Sequence, residues 1–270
     1  MQSIYALVDK QFSTVNQLIL NELHSHIDLV EDISQYLITS GGKRIRPLVT
    51  LLVAAALGDT DNAKQAKLAT AIEFLHTATL LHDDVVDMSS LRRGKPTANA
   101  NWGNASSVLV GDFVYSRAFQ LMVAVGNLSV MEVLSDTTVK IAEGEVQQLS
   151  EIGNIDLNEA AYFEVIERKT AQLFAGACEA AAIVAGATPE ISSHMRAFGK
   201  SLGLAFQLID DFLDYAGDPA QLGKNVGDDL AEGKLTLPLI QALKISAEQD
   251  SAHHQELKSI IINKDLNRIT

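Results

Sequence analysis

The sequence has only one cysteine, Cys178, among its 270 residues. A single thiol cannot form a disulfide within the chain, and it cannot supply the thiolates of a cysteine-based zinc site. A chain of this composition suits a reducing compartment, so a cytoplasmic location is predicted. We expect Cys178 to be a core residue rather than a catalytic nucleophile.

Basic residues are scarce relative to acidic ones. Lysine and arginine number 21 against 34 aspartates and glutamates, which gives a formal net charge of −13. Because nucleic-acid binding needs clustered lysine and arginine to neutralise phosphates, no nucleic-acid partner is predicted. A local basic patch that holds a small phosphate is still compatible with this composition.

Long apolar runs and targeting signals are also missing. The longest uncharged apolar runs, such as 48–58, are too short to span a bilayer, so no transmembrane segment is predicted. Near the N-terminus, Asp9 and Lys10 interrupt the stretch MQSIYALVDKQF, which lacks the basic flank and apolar run of a signal peptide.

Prolines are few, and no alternation of apolar and polar residues is long enough for a sheet. The five prolines lie near expected helix starts or in loops, whereas alanine, leucine, glutamate and glutamine dominate the stretches between them. These features predict an all-α fold, a single domain over 1–270 built as a bundle of about ten or more helices. The predicted helices are 3–20, 23–38, 44–57, 62–87, 104–125, 129–150, 157–186, 190–216, 234–247 and 252–263. The longest connections, 88–103 and 217–233, are expected to be functional or mobile.

Two aspartate clusters, at 83–87 and 210–214, share the pattern DDxxD and follow long apolar stretches. Positions four apart lie on one helix face, so the first and last aspartates of each cluster project together. Carboxylates crowded at the C-terminal end of a helix repel one another and oppose the helix dipole, so they favour a cation. Hard oxygen ligands suit Mg²⁺ completed by substrate phosphates. One such cluster would also fit a solvated acidic helix end, but two copies favour a function, with both lining one pocket mouth if their helices face each other.

Basic residues gather where a phosphate would need them. Lys43 and Arg46 lie three apart at the start of an apolar helix, where free backbone N–H groups also favour an anion. Arg44 is expected to point away from both and to be an ordinary surface charge. Further bases lie beside the aspartate clusters or mid-helix: Arg92, Arg93, Lys95, Lys169, Lys224 and Lys234. Their placement predicts one site for both metal and diphosphate.

A series of motifs, in this order, resembles the trans-polyprenyl diphosphate synthases: GGKRIRP, HDDVVD followed by RRG, GDF, the Lys169–Thr170 pair, FQLIDDFLD and GKNVGDDLAEGKLTLP. The stretches HTATLLHDDVVD and SSVLVGDFVYSRAFQLM are most similar to the octaprenyl diphosphate synthases of bacteria, which make the ubiquinone or menaquinone side chain. The resemblance implies helices around a central apolar cavity, and a homodimer. Members of that family commonly continue into further helices and a basic tail, so this chain is expected to lack the family's C-terminal helices.

The resemblance also implies roles for individual residues. Asp83 and Asp87 on one side and Asp210 on the other would hold about three Mg²⁺ ions. The remaining catalytic aspartates are Asp84, Asp211 and Asp214, of which Asp84 and Asp214 are expected to be outer or partial ligands. The allylic diphosphate would be bound by Arg92, Lys169, Thr170, Gln207, Lys224 and Lys234, with Lys169 also placed among the catalytic residues. Isopentenyl diphosphate would be bound by Lys43, Arg46, His76 and Arg93, whereas His82 is expected to be a core histidine.

The implied enzyme is a Mg²⁺-dependent prenyltransferase. It would condense an allylic diphosphate, with farnesyl diphosphate as the expected primer, and successive isopentenyl diphosphates into a long all-trans chain, octaprenyl diphosphate, for a quinone. The cations stabilise the departing diphosphate, and the alkene of isopentenyl diphosphate attacks the allylic carbocation. No motif residue is an obvious strong base, so the released diphosphate is the favoured proton acceptor. Ala78 and Thr79 are small enough for a growing chain to pass, and the product is expected to be handed to the membrane.

Three other functions fit parts of the sequence. A terpene cyclase also ionises an allylic diphosphate at a first DDxxD, but its second metal motif differs and it has no need for Lys43 and Arg46. A metal-dependent phosphohydrolase is suggested by the pair His82–Asp83, although such a site needs several histidines and only His76 lies near. A non-catalytic partner subunit would be expected to have lost one aspartate cluster, and both are intact.

Overall fold

The structure of the protein, a computed structural model, describes residues 2–59, 61–217, 226–249 and 251–265. Helices make up most of these residues, which confirms the predicted all-α class. The first elements are α1 (Gln2–Tyr5), a 3₁₀ turn (Ala6–Val8), α2 (Asp9–Glu22), α3 (Asp28–Thr39), α4 (Ile45–Ala56), α5 (Asn62–Val86), β1 (Leu91–Arg92), β2 (Lys95–Pro96), α6 (Ala98–Trp102) and α7 (Asn104–Val125). They are followed by α8 (Leu128–Ser150), α9 (Glu159–Ile166), a π turn (Glu167–Ala171), α10 (Gln172–Val184), α11 (Pro189–Ala216), α12 (Asp228–Glu232), α13 (Leu237–Gln249) and α14 (Ser251–Asn263).

The structure departs from the predicted elements in at least three places. The predicted helices 3–20 and 157–186 are interrupted, the first by the 3₁₀ turn and the second by the π turn. The predicted loop 88–103 contains the hairpin of β1 and β2 and the short helix α6. This hairpin turns at Arg93 and Gly94, whose φ angles of 54° and 73° are those of a two-residue hairpin turn, so local turn chemistry orders the loop.

Several helix ends are fixed by side chains of the expected types. Asp61, Thr97 and Asn158 each accept the backbone N–H three residues ahead, at the starts of α5, α6 and α9. Gly126 ends α7 in the left-handed conformation, with φ at 72°. In the loop 217–233, α12 forms over Asp228–Glu232, while 218–225 lie outside the described residues.

Two compact units are distinguished within the described chain. The first comprises the described residues up to Thr138 together with Leu173–Lys200, and the second comprises Val139–Gln172 together with the described residues from Ser201 onward. The first aspartate cluster belongs to the first unit and the second cluster to the second. A single domain over 1–270 stays a prediction.

The core of the first unit is built around α5. This helix packs along α7 and against α4. Ile72, Leu75 and Ala78 of α5 and Val114 and Ala118 of α7 are fully buried, at the three- and four-residue spacing of a helix face turned to the core. The buried stripe of α5 therefore fixes the rotation of the helix that carries the first aspartate cluster.

Small residues bring the remaining helices of the first unit close together. A Cβ atom added at Gly199 would lie 2.4 Å from the carbonyl oxygen of Phe174, so this approach requires glycine. Cys178 is fully buried, and burial raises the pKa of its thiol to about 12. The expectation that Cys178 is a core residue is confirmed, because a thiol this buried and protonated is a poor nucleophile.

Among the described helices, α7 is the one long and apolar enough to cross a membrane by length and composition. It carries Asp112 and Arg117, and its inner stripe packs on α5 in the core of the first unit. The core helix of a folded domain meets the same two criteria, and this packing gives α7 that role.

The core of the second unit is a separate cluster of large side chains. Tyr162 and Ile166 of α9 meet Leu230 of α12 and Leu239 and Leu243 of α13. Partly buried apolar residues of α11 and α14 pack around them. This core seats the last turns of α11, where the second aspartate cluster lies.

Candidate active site

The first aspartate cluster lies at the C-terminal end of α5, as predicted. Asp84 points inward and is only 4% exposed, whereas Asp83 and Asp87 are partly exposed. One carboxylate oxygen of Asp84 accepts a hydrogen bond from Nε of Arg92 at 2.9 Å and forms an ion pair with its Nη2 at 2.7 Å. The three carboxylates therefore differ in exposure, because Asp84 is buried against an arginine while Asp83 and Asp87 are partly accessible to solvent.

The three basic residues at the start of α4, Lys43, Arg44 and Arg46, have different surroundings. Lys43 is exposed, and its carbonyl accepts a hydrogen bond from the hydroxyl of Tyr5. Arg46 is drawn inward, with its guanidinium carbon 4.5 Å from the centroid of the Phe174 ring. Burial lowers the pKa of Arg46 to about 10, so this side chain stays charged at neutral pH.

Arg44 corrects an expectation from the sequence. It adopts the left-handed backbone conformation, with φ at 44°, and its side chain donates to Asn16. This backbone turn directs Arg44 into the lining of a pocket, so it is not an ordinary surface charge. A left-handed arginine is uncommon, and the arginine type alone gives no signal for it.

The first unit contains a pocket beside the C-terminal end of α5. Its polar lining includes Arg44, Glu73, His76, Asp84, Arg92 and Arg93. Its apolar lining includes Ile19 of α2, Leu37 of α3, and Phe74, Leu80 and Leu81 of α5. Arginines thus lie beside an apolar wall, as a phosphorylated ligand with a short hydrocarbon part would require. Of the residues predicted to bind isopentenyl diphosphate, His76 and Arg93 line this pocket.

The charges of the pocket are set by burial. The pKa of His76 is well below its usual value because the ring is buried and lies near Arg46, Arg92 and Arg93. His76 is therefore neutral at neutral pH. Burial also raises the pKa of Glu73, against the opposing effect of Arg46, Arg44 and Arg93. Glu73 was missed by sequence reasoning, although its position one turn before His76 places it on the same helix face.

The hairpin that follows the first cluster is tied to the end of α3. The hydroxyl of Tyr36 donates to the carbonyl of Pro96 at 2.5 Å, and Nζ of Lys95 donates to the carbonyl of Thr39 at 3.0 Å. Arg93 donates to the carbonyl of Gly41. The next residue, Gly42, lies so close that a Cβ atom there would be 2.4 Å from the Arg93 guanidinium. The Arg93 guanidinium is therefore held against the backbone of Gly41 and Gly42.

His82 has a packing role. Its Nε2 lies 3.2 Å from the carbonyl oxygen of Val108 and 3.4 Å from Asp112. The ring covers Gly111, where a Cβ atom would lie 2.3 Å from Nε2. The glycine of the GDF motif thus allows α7 to approach α5, and the half-buried His82 lies in that contact.

The second aspartate cluster, on α11, also combines buried and partly exposed carboxylates. Asp211 and Asp214 are buried, whereas Asp210 is partly exposed. The two oxygens of Asp211 accept from the hydroxyl of Tyr162 at 2.5 Å and from Nε2 of Gln207 at 2.6 Å. Asp214 accepts the backbone N–H of Asp229 at 3.2 Å, which connects the cluster to α12.

The Lys169–Thr170 pair lies in the π turn, a type of helix irregularity that is frequent at functional sites. Nζ of Lys169 donates to Glu145 at 2.6 Å and to Gln148 at 2.7 Å. The hydroxyl of Thr170 donates to the amide oxygen of Gln207 at 2.9 Å. Thr170 is therefore connected to the second aspartate cluster.

A second pocket lies within the second unit. Four of the residues predicted to bind the allylic diphosphate line it, namely Lys169, Thr170, Gln207 and Lys234, together with Asp211. Lys234 also forms an ion pair with Glu232 at 2.6 Å. The predicted ligand Lys224 lies outside the described residues.

The protein supplies only some of the ligands that a Mg²⁺ ion needs at each cluster. Across 2–59, 61–217, 226–249 and 251–265, no group of three or more histidine, cysteine, aspartate or glutamate side chains is arranged to hold a metal. The partly exposed carboxylates of Asp83, Asp87 and Asp210 are nevertheless hard oxygen donors. Mg²⁺ commonly takes only one or two protein carboxylates and completes its shell with water and phosphate, so these residues fit it.

The residues predicted to set product length lie in the first unit. Ala78 is fully buried, and neither of the two pockets described above includes it. The hydroxyl of the half-buried Thr79 donates to the carbonyl of His76 at 2.8 Å. Their effect on chain length stays a prediction.

Comparison with known proteins supplies the family. The family model described as "Polyprenyl synthetase" matches residues 27–268, and the chain belongs to this family. It is 52% identical over 243 residues to the octaprenyl diphosphate synthase of Escherichia coli (strain K12), and the match covers 90% of this chain and 75% of that protein. It is 50% identical over 252 residues to the octaprenyl diphosphate synthase of Haemophilus influenzae, over 93% of this chain and 76% of that protein.

Solved structures agree with this assignment. A polyprenyl synthase from Caulobacter crescentus, complexed with calcium and isoprenyl diphosphate, matches with a TM-score of 0.87 and 46% identity, over 97% of this chain and 84% of that chain. A decaprenyl diphosphate synthase from Rhodobacter capsulatus matches with a TM-score of 0.89 and 44% identity, over 98% and 80%. The resemblance inferred from the motifs is confirmed.

Proposed function

We propose that the protein condenses an allylic diphosphate with successive isopentenyl diphosphates into a long all-trans polyprenyl diphosphate. The observation that carries this proposal is the pocket of the first unit, where three arginines and a neutral histidine border an apolar wall beside the first aspartate cluster. Isopentenyl diphosphate has this combination of a diphosphate and a short alkene. Identity to octaprenyl diphosphate synthases supports octaprenyl diphosphate as the product, and farnesyl diphosphate is the primer that we propose.

Magnesium is the metal that the carboxylates would hold. Asp83, Asp87 and Asp210 would bind about three Mg²⁺ ions, and calcium with isoprenyl diphosphate in the Caulobacter crescentus relative supports a divalent cation beside a diphosphate. When bound, Mg²⁺ supplies electrostatic stabilisation of the departing diphosphate. Asp84, Asp211 and Asp214 are buried and hydrogen-bonded, so they would orient the metal-facing side chains.

The remaining residues bind and orient the two substrates. Arg92, Lys169, Thr170, Gln207, Lys224 and Lys234 would hold the allylic diphosphate, and Lys43, Arg46, His76 and Arg93 would hold isopentenyl diphosphate. As the carbon–oxygen bond of the allylic diphosphate breaks, the lysines and the arginine that hold it stabilise the negative charge that develops on the leaving group. The alkene of isopentenyl diphosphate then attacks the allylic carbocation, and the released diphosphate takes the proton. Apolar walls exclude water, which would otherwise capture the cation.

The protein is further proposed to be a homodimer in the cytoplasm that passes its product to the membrane for quinone synthesis. Exposed apolar side chains on α7 and at the start of α8, including Leu109, Val123 and Leu128, support a surface for a second copy. Sedimentation would show a dimer if this part of the proposal holds.

The test is incubation with Mg²⁺, farnesyl diphosphate and labelled isopentenyl diphosphate, followed by dephosphorylation and chromatography of the products. Labelled long-chain prenols that require both substrates and Mg²⁺ are expected. A cyclic hydrocarbon formed without isopentenyl diphosphate would identify a cyclase, and release of phosphate or diphosphate without condensation would identify a hydrolase. A protein that is inactive alone but active with a second subunit would be a partner subunit.

A further inference from the structure

Tyr162 lies outside every motif that points to the reaction, but it contacts the second aspartate cluster directly. It belongs to α9, and its hydroxyl donates to Oδ2 of Asp211 at 2.5 Å. Both side chains are 3% exposed. A hydrogen bond between a hydroxyl and a carboxylate is short and strong in such a buried setting.

This contact is the first step of a continuous chain of hydrogen bonds. The other oxygen of Asp211, Oδ1, accepts from Nε2 of Gln207 at 2.6 Å. Because the amide nitrogen of Gln207 donates there, its amide oxygen faces the other way and accepts from Thr170 at 2.9 Å. The chain thus runs from α9 through the second aspartate cluster to the π turn.

The chain fixes the rotation of two functional segments. Adjacent helical residues project about 100° apart, so holding Asp211 inward sets the direction in which Asp210 projects from the same turn. At the other end, the hydroxyl of Thr170 is held beside Lys169, which itself bonds Glu145 and Gln148. Tyr162 is anchored in the core of the second unit, so it connects a rigid part of the fold to both segments.

We infer that Tyr162 is a positioning residue for the allylic diphosphate, acting through Asp211 and Gln207 to aim Asp210 and Thr170. This inference rests on the proposed function, because it names how one of the two diphosphates is held. Tyr162 lines the second pocket, and its hydroxyl donates to Asp211 there. Removal of the hydroxyl should therefore weaken the allylic diphosphate and slow the reaction, while binding of isopentenyl diphosphate in the pocket of the first unit is kept.

The central variant is Tyr162→Phe, which keeps the ring in the core. We expect the KM for farnesyl diphosphate to rise and kcat to fall, each by about tenfold, as a lost hydrogen bond to a charged group predicts, with the KM for isopentenyl diphosphate within about twofold of wild type. The control is Tyr215→Phe, which removes the hydroxyl of a partly buried tyrosine of the same unit whose contact with Thr236 is long, at 3.5 Å. Its kinetics should stay within about twofold of wild type.

A double-mutant cycle separates positioning from packing. If Tyr162 acts through Asp211, Tyr162→Phe should have little further effect in an Asp211→Asn background, so the two effects should be far from additive. Full additivity, or wild-type kinetics in folded Tyr162→Phe, would overturn the inference. Equal losses for both substrates would overturn it as well, because they indicate general loss of structure.

Calorimetric binding of Mg²⁺ with an unreactive thio analogue of farnesyl diphosphate provides the same cycle without turnover. A wild type that binds the analogue but does not condense substrates would refute the proposed function, and the binding cycle would still decide the role of Tyr162. A wild type that does not bind the analogue would overturn both. Thermal unfolding identifies any variant that fails to fold. If Tyr162→Phe or Asp211→Asn does not fold, Tyr162→Trp replaces the first and Gln207→Leu replaces the second in the binding cycle.

Discussion

Arg92 holds a single carboxylate oxygen of Asp84 through a hydrogen bond from Nε at 2.9 Å and an ion pair with Nη2 at 2.7 Å. The side chain of Asp84 is 5% exposed and that of Arg92 is 38% exposed, so Asp84 is much more completely removed from water than Arg92. The same contact ties β1 to the end of α5. It therefore orders the loop that carries Arg93 into the pocket.

The first prediction follows from this unequal burial. Arg92→Ala leaves a buried carboxylate without its arginine, and we expect it to lower the free energy of unfolding by about 2–4 kcal/mol. Asp84→Ala leaves a guanidinium that water can reach, and we expect a loss of about 1 kcal/mol. Urea unfolding of both variants and of the double variant gives the comparison. Equal losses in the two single variants would contradict it.

The second prediction concerns the metal-facing aspartates. Asp83→Asn and Asp210→Asn should each reduce condensation by at least about a hundredfold, because each removes a charged oxygen ligand from the diphosphate site. The unfolding temperature should stay the same or rise, since charge repulsion within the helix turn is relieved. Asp156→Asn, at an exposed position in the second unit, is the control and should keep activity. Near-wild-type turnover in either cluster variant would refute these metal assignments.

The third prediction concerns the close approach of α8 to the π turn. A Cβ atom at Gly144 would lie 2.7 Å from Cβ of Arg168 and 2.8 Å from the backbone nitrogen of Lys169, and a backbone atom cannot rotate away. Gly144→Ala should therefore lower stability by about 1–3 kcal/mol and displace Lys169, with a fall in kcat of about ten- to a hundredfold. Glu143→Ala, at the exposed preceding position, should change neither. Unfolding and turnover measured side by side test this, and a folded Gly144→Ala with normal kcat would contradict it.

The sequence predicted the helices and the residue types of the site because both depend on local patterns. DDxxD places Asp83 and Asp87 on one face wherever a helix forms, and the motifs identify the family without any tertiary information. Three features required the structure. The left-handed turn at Arg44 and the π turn at Lys169 are backbone irregularities without a compositional signal. The bond between Tyr162 and Asp211 joins residues 49 positions apart, and no spacing rule for one helix predicts such a contact.

The fourth prediction concerns stability at mildly acidic pH. The folded protein holds His76 neutral because burial and three arginines keep its pKa well below the usual value, whereas the unfolded chain protonates it near about pH 6.5. As pH falls below that value, the unfolded state binds more protons, so stability decreases by up to about 1.4 kcal/mol per pH unit. The raised pKa of Glu73 acts in the opposite direction at lower pH, because the folded state then takes up the proton first.

The contribution of His76 is isolated by comparison of variants. The free energy of unfolding of the wild type minus that of His76→Gln should decrease between about pH 7 and pH 5. The contribution of Glu73 cancels in this difference because both proteins contain it. The exposed His194 provides the control, and His194→Gln should follow the wild-type curve. Parallel curves for wild type and His76→Gln would show that this histidine is not buried in its neutral form.

The last prediction is that Ala78 sets the length of the product. It lies five positions before Asp83, about 7.5 Å along α5, and its side chain is fully buried. If the prenyl chain grows along this helix, Ala78→Phe should block it and shorten the product to about four isoprene units, one addition to farnesyl diphosphate, while the first condensation is nearly unaffected. If Ala78 is only a packing residue, the inserted ring should cost about 1–3 kcal/mol of stability and leave the product unchanged. Chromatography of the dephosphorylated prenols, with Ala78→Ser as the small control that should keep the long product, distinguishes the two. Long products from a folded Ala78→Phe variant would exclude a role for this position in chain length.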